Sequence, residues 1–265
     1  MAYTYFSRNG EVLPVAQATV PLDDIHYAYG FGVYETIRVA RSKPRFLDAH
    51  AGRLMESARI IGLEHEFSAG FVAKSVEDVI IKNKVENCNI KILLLGGPEA
   101  TLNILCLNPR YPDRKLYKQG AHLITKELER PFPHAKTLNM LPSYLAHREA
   151  KAAGAHDALL VNRHGCITES TSANVFAITG RTIISPPETD ILLGVTRDNV
   201  LKIAKQNRFK VEEKALKLAD IKQYENLFLT GTSIKIMPVC SVDDRTWEEI
   251  SSHLRTLMQE FDNSL

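Results

Sequence analysis

KTLNMLPSYLAHREAKAAGAHDALLVNRHGCITESTSANVF, residues 136–176, is the stretch on which the fold turns. From Pro142 to Ala153 it has helical composition, with proline suited to a first turn and Gly154 to the stop. Asp157 to Asn162, the Arg163-His164-Gly165 turn and Cys166 to Glu169 then read as a hairpin, and Asn174 to Ile178 as the next strand. A helix followed by paired strands, with Lys136 ahead of the one and Glu169 at the end of the others, marks a mixed α and β chain.

Outward from this stretch, the first half reads as a layer of strands and helices. Tyr3 to Phe6 and Glu11-Val12-Leu13 flank Asn9-Gly10, a hairpin signature. Gly32 to Ala40, the turn Arg41-Ser42-Lys43-Pro44 and the return Arg45-Phe46-Leu47 read as a second hairpin. Asp48 is placed to cap a helix with Leu54, Ala58 and Ile61 on one stripe, stopped at Gly62. A helix is expected over 69–83, and strands over 89–95 and 102–107. The polar, two-proline run NPRYPDRKLYKQ, 108–119, is the expected linker, which gives domains of 1–113 and 120–265. Beyond it come a strand over 121–125, strands at 182–185 and 227–230, a helix over 195–206 and an amphipathic helix over 247–261.

The chain has 265 residues, 45% of them hydrophobic, enough to bury a substantial core. Its 33 Lys and Arg nearly balance its 31 Asp and Glu, so no net field favours nucleic acid or an acidic membrane surface. Any anionic ligand must be held locally. Cys88, Cys106, Cys166 and Cys240 stand far apart, a spacing that points to reduced thiols rather than a zinc ribbon or a disulfide framework. No metal site is expected. The opening MAYTYFSRNGEVLP lacks an apolar core of signal-peptide length, so a cytoplasmic enzyme is the expectation.

Four features could carry chemistry, and each has an ordinary alternative. Leu193-Gly194-Val195-Thr196-Arg197-Asp198 leads from a glycine into a helix, whose first N–H groups and dipole attract anions; such starts are commonly only caps. Thr230-Gly231-Thr232-Ser233 follows an apolar strand, where ligand loops or plain polar turns sit. Arg53 near a helix start suits a phosphate or simply solvent. Lys136 has apolar neighbours, which favour a free amine able to add to carbonyls. Glu169 could hold a pyridine nitrogen protonated and so make its ring an electron sink. Taken alone, Lys136 is a surface lysine and Glu169 a hairpin-end carboxylate.

The order of the motifs changes their weight. YGFGVYETIRV, LDAHAGRLMESARIIGL, the 136–176 stretch, LLGVTRDNVLKIA and LTGTSIKIMPV together resemble the class IV aminotransferases from about Tyr29 to Val239. The resemblance implies an α+β enzyme of fold type IV, a small α/β layer domain plus a larger pseudo-barrel domain that binds pyridoxal 5'-phosphate. It makes Lys136 the Schiff-base lysine and proton shuttle, and Glu169 the partner of the pyridine nitrogen. Arg53, the backbone N–H groups of Val195 and Thr196, and Thr232 become the phosphate cup. Leu192 packs on the ring face, and Thr171 and Asn174 belong to the loop carrying Glu169. A homodimer acting on a small amino substrate, without nucleic acid or membrane, is implied as well.

Departures bear on the reaction. Phe31 stands between Gly30 and Gly32, where an acidic or small polar residue is usual. Met140 replaces a tyrosine that meets the cofactor phenolate in branched-chain enzymes, leaving Arg130 as the candidate for that oxygen. After Leu95 the chain continues Gly96-Gly97-Pro98-Glu99, without the arginine many relatives carry there. Tyr34, Thr36 and Arg38 alternate onto one strand face and are the expected substrate residues. Thr36 resembles aminodeoxychorismate lyases, whereas Gly231 stands where such lyases often have asparagine. The reading leans to the lyase, with an aminotransferase on branched-chain or related amino acids as the alternative and a non-catalytic cofactor-binding relative as the third.

Overall fold

The structure is a computed structural model that describes residues 3–109 and 111–265, so Arg110 of the expected linker and the first two residues lie outside it. The chain forms two compact units. One is Met1–Arg110 with His134–Met140, the other Tyr111–Pro133 with Leu141–Leu265.

In the first unit β1 (Tyr5–Arg8) and β2 (Glu11–Pro14) are joined by Asn9 and Gly10, both left-handed, at φ 51° and 85°. These are the dihedrals a two-residue hairpin turn needs. The short helix α1 (Ile25–Ala28) precedes β3 (Gly32–Ala40), which Arg41 and Ser42 turn into β4 (Lys43–Pro44). The return strand thus sits two residues earlier than expected. Helix α2 (Leu47–Ile60) follows a left-handed Phe46 and has no side-chain cap, so Asp48 lies in its first turn instead of capping it. Helix α3 (Ala69–Asn83) is capped by Ser68, and β5 (Asn87–Leu95) and β6 (Thr101–Leu107) complete a sheet of order β2-β1-β6-β5-β3-β4.

Alternation along β3, β5 and β6 sends Val33, Ile37, Ile90, Ile92, Leu94 and Ile104 to the helix side. There they meet Leu54 and Ala58 of α2 and Val72, Val76 and Val79 of α3, all fully buried. The opposite face carries Tyr34, Thr36 and Arg38, cross-strand from Leu93, Lys91 and Asn89. The stretch 134–140, expected in the second domain, clusters with this first unit. The cause is backbone pairing with β3: Tyr34 N donates to Lys136 O and Leu138 N to Gly32 O, each at 2.9 Å, and Thr137 bridges Val33. Gly32 permits this approach, since a Cβ there would stand 2.8 Å from Leu138 Cδ1 and 2.7 Å from Leu94 O.

In the second unit α4 (Arg114–Gln119), capped by Asp113, occupies much of the expected linker. It leads into β7 (Ala121–Glu127), α5 (Leu141–Ala152), β8 (Asp157–Val161), β9 (Cys166–Ser170), β10 (Asn174–Thr179) and β11 (Thr182–Ser185). Helix α6 (Val195–Gln206), β12 (Lys210–Glu213), β13 (Leu216–Lys217), β14 (Asn226–Gly231), β15 (Lys235–Val242), β16 (Arg245–Thr246) and α7 (Ser252–Asn263) follow. The path β10-β14-β15-β7-β8-β9 closes on itself where Glu169 pairs Asn174. Leu159, Val175, Leu227, Leu229, Met237 and Val239 form one core cluster of this closed sheet. On the alternate positions Phe176 and Phe228, stacked at 5.0 Å, pack with α6 and α7 through Val200, Leu254, Leu257 and Phe261. The last helix begins at Ser252 rather than at Trp247. Ser251 caps it, while the Trp247 indole N–H donates to Tyr224 O outside the helical path.

Candidate cofactor and active-site residues

In the first unit, backbone pairing to β3 and a hydrogen bond from Lys136 N to Ser57 Oγ (3.1 Å) fix the main chain of Lys136. Its ammonium lies over the Tyr34 ring, 4.5 Å from the centroid. Among the described residues it has no carboxylate partner. Lys91 lies over the same ring at 3.4 Å, so two amines share one tyrosine. Burial, then the Lys136 charge, brings Lys91 down to about 8, against the pull of Glu35. Tyr34 OH reaches Met140 Sδ at 3.5 Å.

On the helix side of β3 lies a buried ionic cluster. Arg53 Nε and Nη2 donate to the two oxygens of Glu35 at 2.7 and 2.9 Å, and His50 Nδ1 donates to Glu35 Oε2 at 2.8 Å. Burial alone would raise the Glu35 carboxyl, but the Arg53 charge and the His50 and Arg53 hydrogen bonds outweigh it and bring it to about 2. His50 is pushed down chiefly by burial, with the Lys136 charge contributing. Lys136 is therefore near enough to act electrostatically on both Lys91 and His50. Glu35, His50 and Lys91 were not singled out in the sequence. The available signal was a charged residue at a helix-side position of an apolar strand, with His50 and Arg53 at i and i+3 on α2.

In the second unit, Glu169 ends β9 and is buried. Its Oε1 accepts from Arg130 Nη1 at 2.7 Å and its Oε2 from Leu192 N at 3.4 Å. Arg130, the candidate for a phenolate oxygen, thus pairs with Glu169 through Nη1. The turn after Glu169 is pinned by buried Asp157, which accepts from Ser170 Oγ at 2.8 Å, from Ser172 Oγ at 2.9 Å and from the Thr171 hydroxyl. Burial raises the Asp157 carboxyl, yet hydrogen bonds from His147, Thr171, Ser170 and the Ala158 N–H hold it below its ordinary value. The Thr171 hydroxyl is directed at this turn, so it fixes the loop that carries Glu169.

Asn174 Nδ2 donates to Leu192 O at 2.7 Å, and a Cβ on Gly194 would stand 2.0 Å from Asn174 Oδ1. The 192–194 segment is thereby held at the start of α6, whose N-cap is this glycine and whose first turn receives no side-chain cap. Among the described residues no N-cap side chain satisfies the N–H groups at this helix start, where Val195 and Thr196 are buried. Thr232 sits in the turn between β14 and β15.

These residues fit pyridoxal phosphate by their donor chemistry. A lysine amine without a carboxylate partner can meet an aldehyde, an uncapped helix start can meet a phosphate, and a buried carboxylate can meet a ring nitrogen. Among the described residues no helix is long and apolar enough to cross a membrane.

Residues 32–242 match the amino-transferase class IV family. The D-alanine aminotransferase of Bacillus licheniformis is 30% identical over 250 residues, covering 90% of this chain and 88% of that protein. Among solved structures, the Escherichia coli branched-chain amino acid aminotransferase superposes with a TM-score of 0.92 at 25% identity, covering 99% of this chain and 94% of that one. A branched-chain enzyme from T.th., solved with pyridoxamine 5'-phosphate, matches at the same TM-score and identity and covers all of this chain and 94% of its own. A Legionella pneumophila protein assigned as a 4-amino-4-deoxychorismate lyase gives a TM-score of 0.85 at 29% identity, covering 93% and 96%. With the fold and these likenesses in agreement, the chain belongs to the class IV aminotransferases, as a two-domain α+β enzyme of fold type IV that depends on pyridoxal phosphate.

Proposed function

We propose that this chain is an aminotransferase acting on a small amino acid, of the branched-chain or D-alanine kind, with Lys136 as its catalytic amine. The observation that carries the reading is the Lys136 ammonium over the Tyr34 ring without a carboxylate partner among the described residues. Pyridoxal phosphate, when bound, supplies an aldehyde for amine exchange and a ring that takes up electrons from the bonds at the amino carbon. Lys136 Nζ would hold the aldehyde when the cofactor is bound, and once displaced by the substrate's amine it would take the proton from the substrate's amino carbon. Arg53, the N–H groups of Val195 and Thr196, and the Thr232 hydroxyl bind the phosphate. Leu192 packs on the ring, Glu169 meets the ring nitrogen, and Thr171 and Asn174 keep the Glu169 loop and the Leu192 turn in place. Tyr34, Thr36 and Arg38 supply the face for the substrate. The D-alanine and branched-chain aminotransferases it resembles support the transfer of an amino group over elimination.

The lyase remains the second reading, favoured by the resemblance of Thr36 to the residue aminodeoxychorismate lyases carry there and by the likeness to the Legionella protein. It would eliminate pyruvate from 4-amino-4-deoxychorismate to leave 4-aminobenzoate. Purified protein with cofactor is given D-alanine or leucine together with 2-oxoglutarate, and separately 4-amino-4-deoxychorismate. A keto acid formed from the amino acid is the expected result. 4-Aminobenzoate without transamination would replace the proposal by the lyase, and a bound chromophore with neither product would leave a non-catalytic relative.

A further inference from the structure

The Glu169 carboxylate is not a lone charge. Arg130 Nη1 donates to its Oε1 at 2.7 Å, while Arg130 Nη2 is anchored on Phe132 O at 3.2 Å. Both side chains are largely withdrawn from water, at 6% exposure for Glu169 and 18% for Arg130. They line a cavity of about 240 Å³ whose other ionisable groups are Glu129, Arg163, His164 and Asp190. Arg163 is engaged with Glu129 through Nε and Nη2 at 3.0 and 2.7 Å, and Asp190 Oδ1 accepts from Thr189 Oγ1 at 3.0 Å. Among the described residues, Arg130 is the cation that touches Glu169.

We propose that Arg130 is a positioning residue that cancels the charge of Glu169 and so limits how firmly this carboxylate holds a proton on a ring nitrogen placed against it. The inference rests on the assignment of Glu169 to the cofactor's ring nitrogen. A carboxylate by itself stabilises a neighbouring N–H cation through its full charge. One already shared with a guanidinium presents a nearly neutral pair, and the guanidinium's own charge opposes a second cation a few ångström away. The rigid fork of arginine also fixes the plane of the carboxylate, and Leu192 N holds the oxygen that Arg130 leaves. The consequence is a ring whose protonation is tempered rather than locked.

The test follows the ¹⁵N resonance of ring-labelled cofactor in the holoenzyme as pH is varied. Arg130→Gln keeps a donor for Glu169 but removes the charge. It is expected to raise the midpoint of ring-nitrogen titration by about two pH units, the order set by one charge about 6 Å away at an effective dielectric of about 20. Arg130→Lys keeps the charge and should stay close to wild type. An unchanged or lowered midpoint in Arg130→Gln overturns the proposal, as does a wild-type nitrogen that stays protonated from about pH 5 to about pH 10. Glu169→Gln separates the two layers. If it leaves the midpoint unmoved, the assignment of Glu169 fails; if it moves the midpoint while Arg130→Gln does not, only the role of Arg130 fails.

Discussion

Lys136→Ala is expected to reduce turnover by at least about 10³-fold, the order attributed to a positioned acid–base group, in a protein that stays folded. The two outcomes separate because the hydrogen bonds that tie residue 136 into the fold are made by its main chain. Lys136 O accepts from Tyr34 N, Lys136 N donates to Ser57 Oγ, and the neighbouring Leu138 N donates to Gly32 O. Alanine keeps all three and deletes only the amine over the Tyr34 ring. Circular dichroism and the thermal midpoint should match wild type, while the rate with the amino donor that wild type uses collapses. A variant that kept a tenth of wild-type turnover would take Lys136 out of the chemistry. Lys91, on the same ring, would then be the amine to examine.

The second large effect concerns stability. Glu35 is fully buried and held by Arg53 and His50, so Glu35→Gln should cost about 3 kcal/mol or more at neutral pH, as expected when one partner of a buried ion pair is removed. The wild-type pH dependence follows from the same cluster. The folded carboxyl titrates at about 2 against an ordinary 4.5, so the unfolded chain binds the proton first as pH falls. The contribution of Glu35 is complete above about pH 4.5 and disappears as pH drops through about 2, a total of about 3 kcal/mol. His50 acts in the same sense, because burial holds it neutral. Below its ordinary 6.5 the unfolded state gains a proton that the folded state refuses, and stability declines. Urea unfolding at a series of pH values should give a shallow loss beginning near pH 6.5 and a steeper one below 4.5, the latter reduced in Glu35→Gln to what Asp157 and the other depressed carboxyls contribute. A cost under about 1 kcal/mol for the substitution would contradict this.

Much of the fold was legible because alternation and turn chemistry agreed. The strand 32–40 and the helices 69–83 and 195–206 lie where the sequence places them, since each has a consistent apolar period and a clear stop. Misreadings fell where local signals competed. Asp48 looked like a cap, but the chain enters α2 through a left-handed Phe46. Two prolines in 108–119 suggested an extended run, and although the two units part inside it, Asp113 starts a helical turn there. The attachment of 134–140 to β3 depends on hydrogen bonds between residues far apart in the chain, which no local window carries. The same holds for side-chain partners: a lone Glu35, a lone His50 and a lone Arg53 become one buried cluster only after folding. Arg130 and Glu169, 39 residues apart, meet because β8 and β9 bring the end of one hairpin back beside the stretch after β7.

The central claim is that Lys136 carries pyridoxal phosphate, and borohydride reduction of the holoenzyme followed by peptide mass spectrometry tests it most directly. A phosphopyridoxyl group fixed on the peptide containing Lys136, with loss of the visible chromophore, is the predicted result. A label on Lys91 or any other lysine, with Lys136 unmodified, would contradict it.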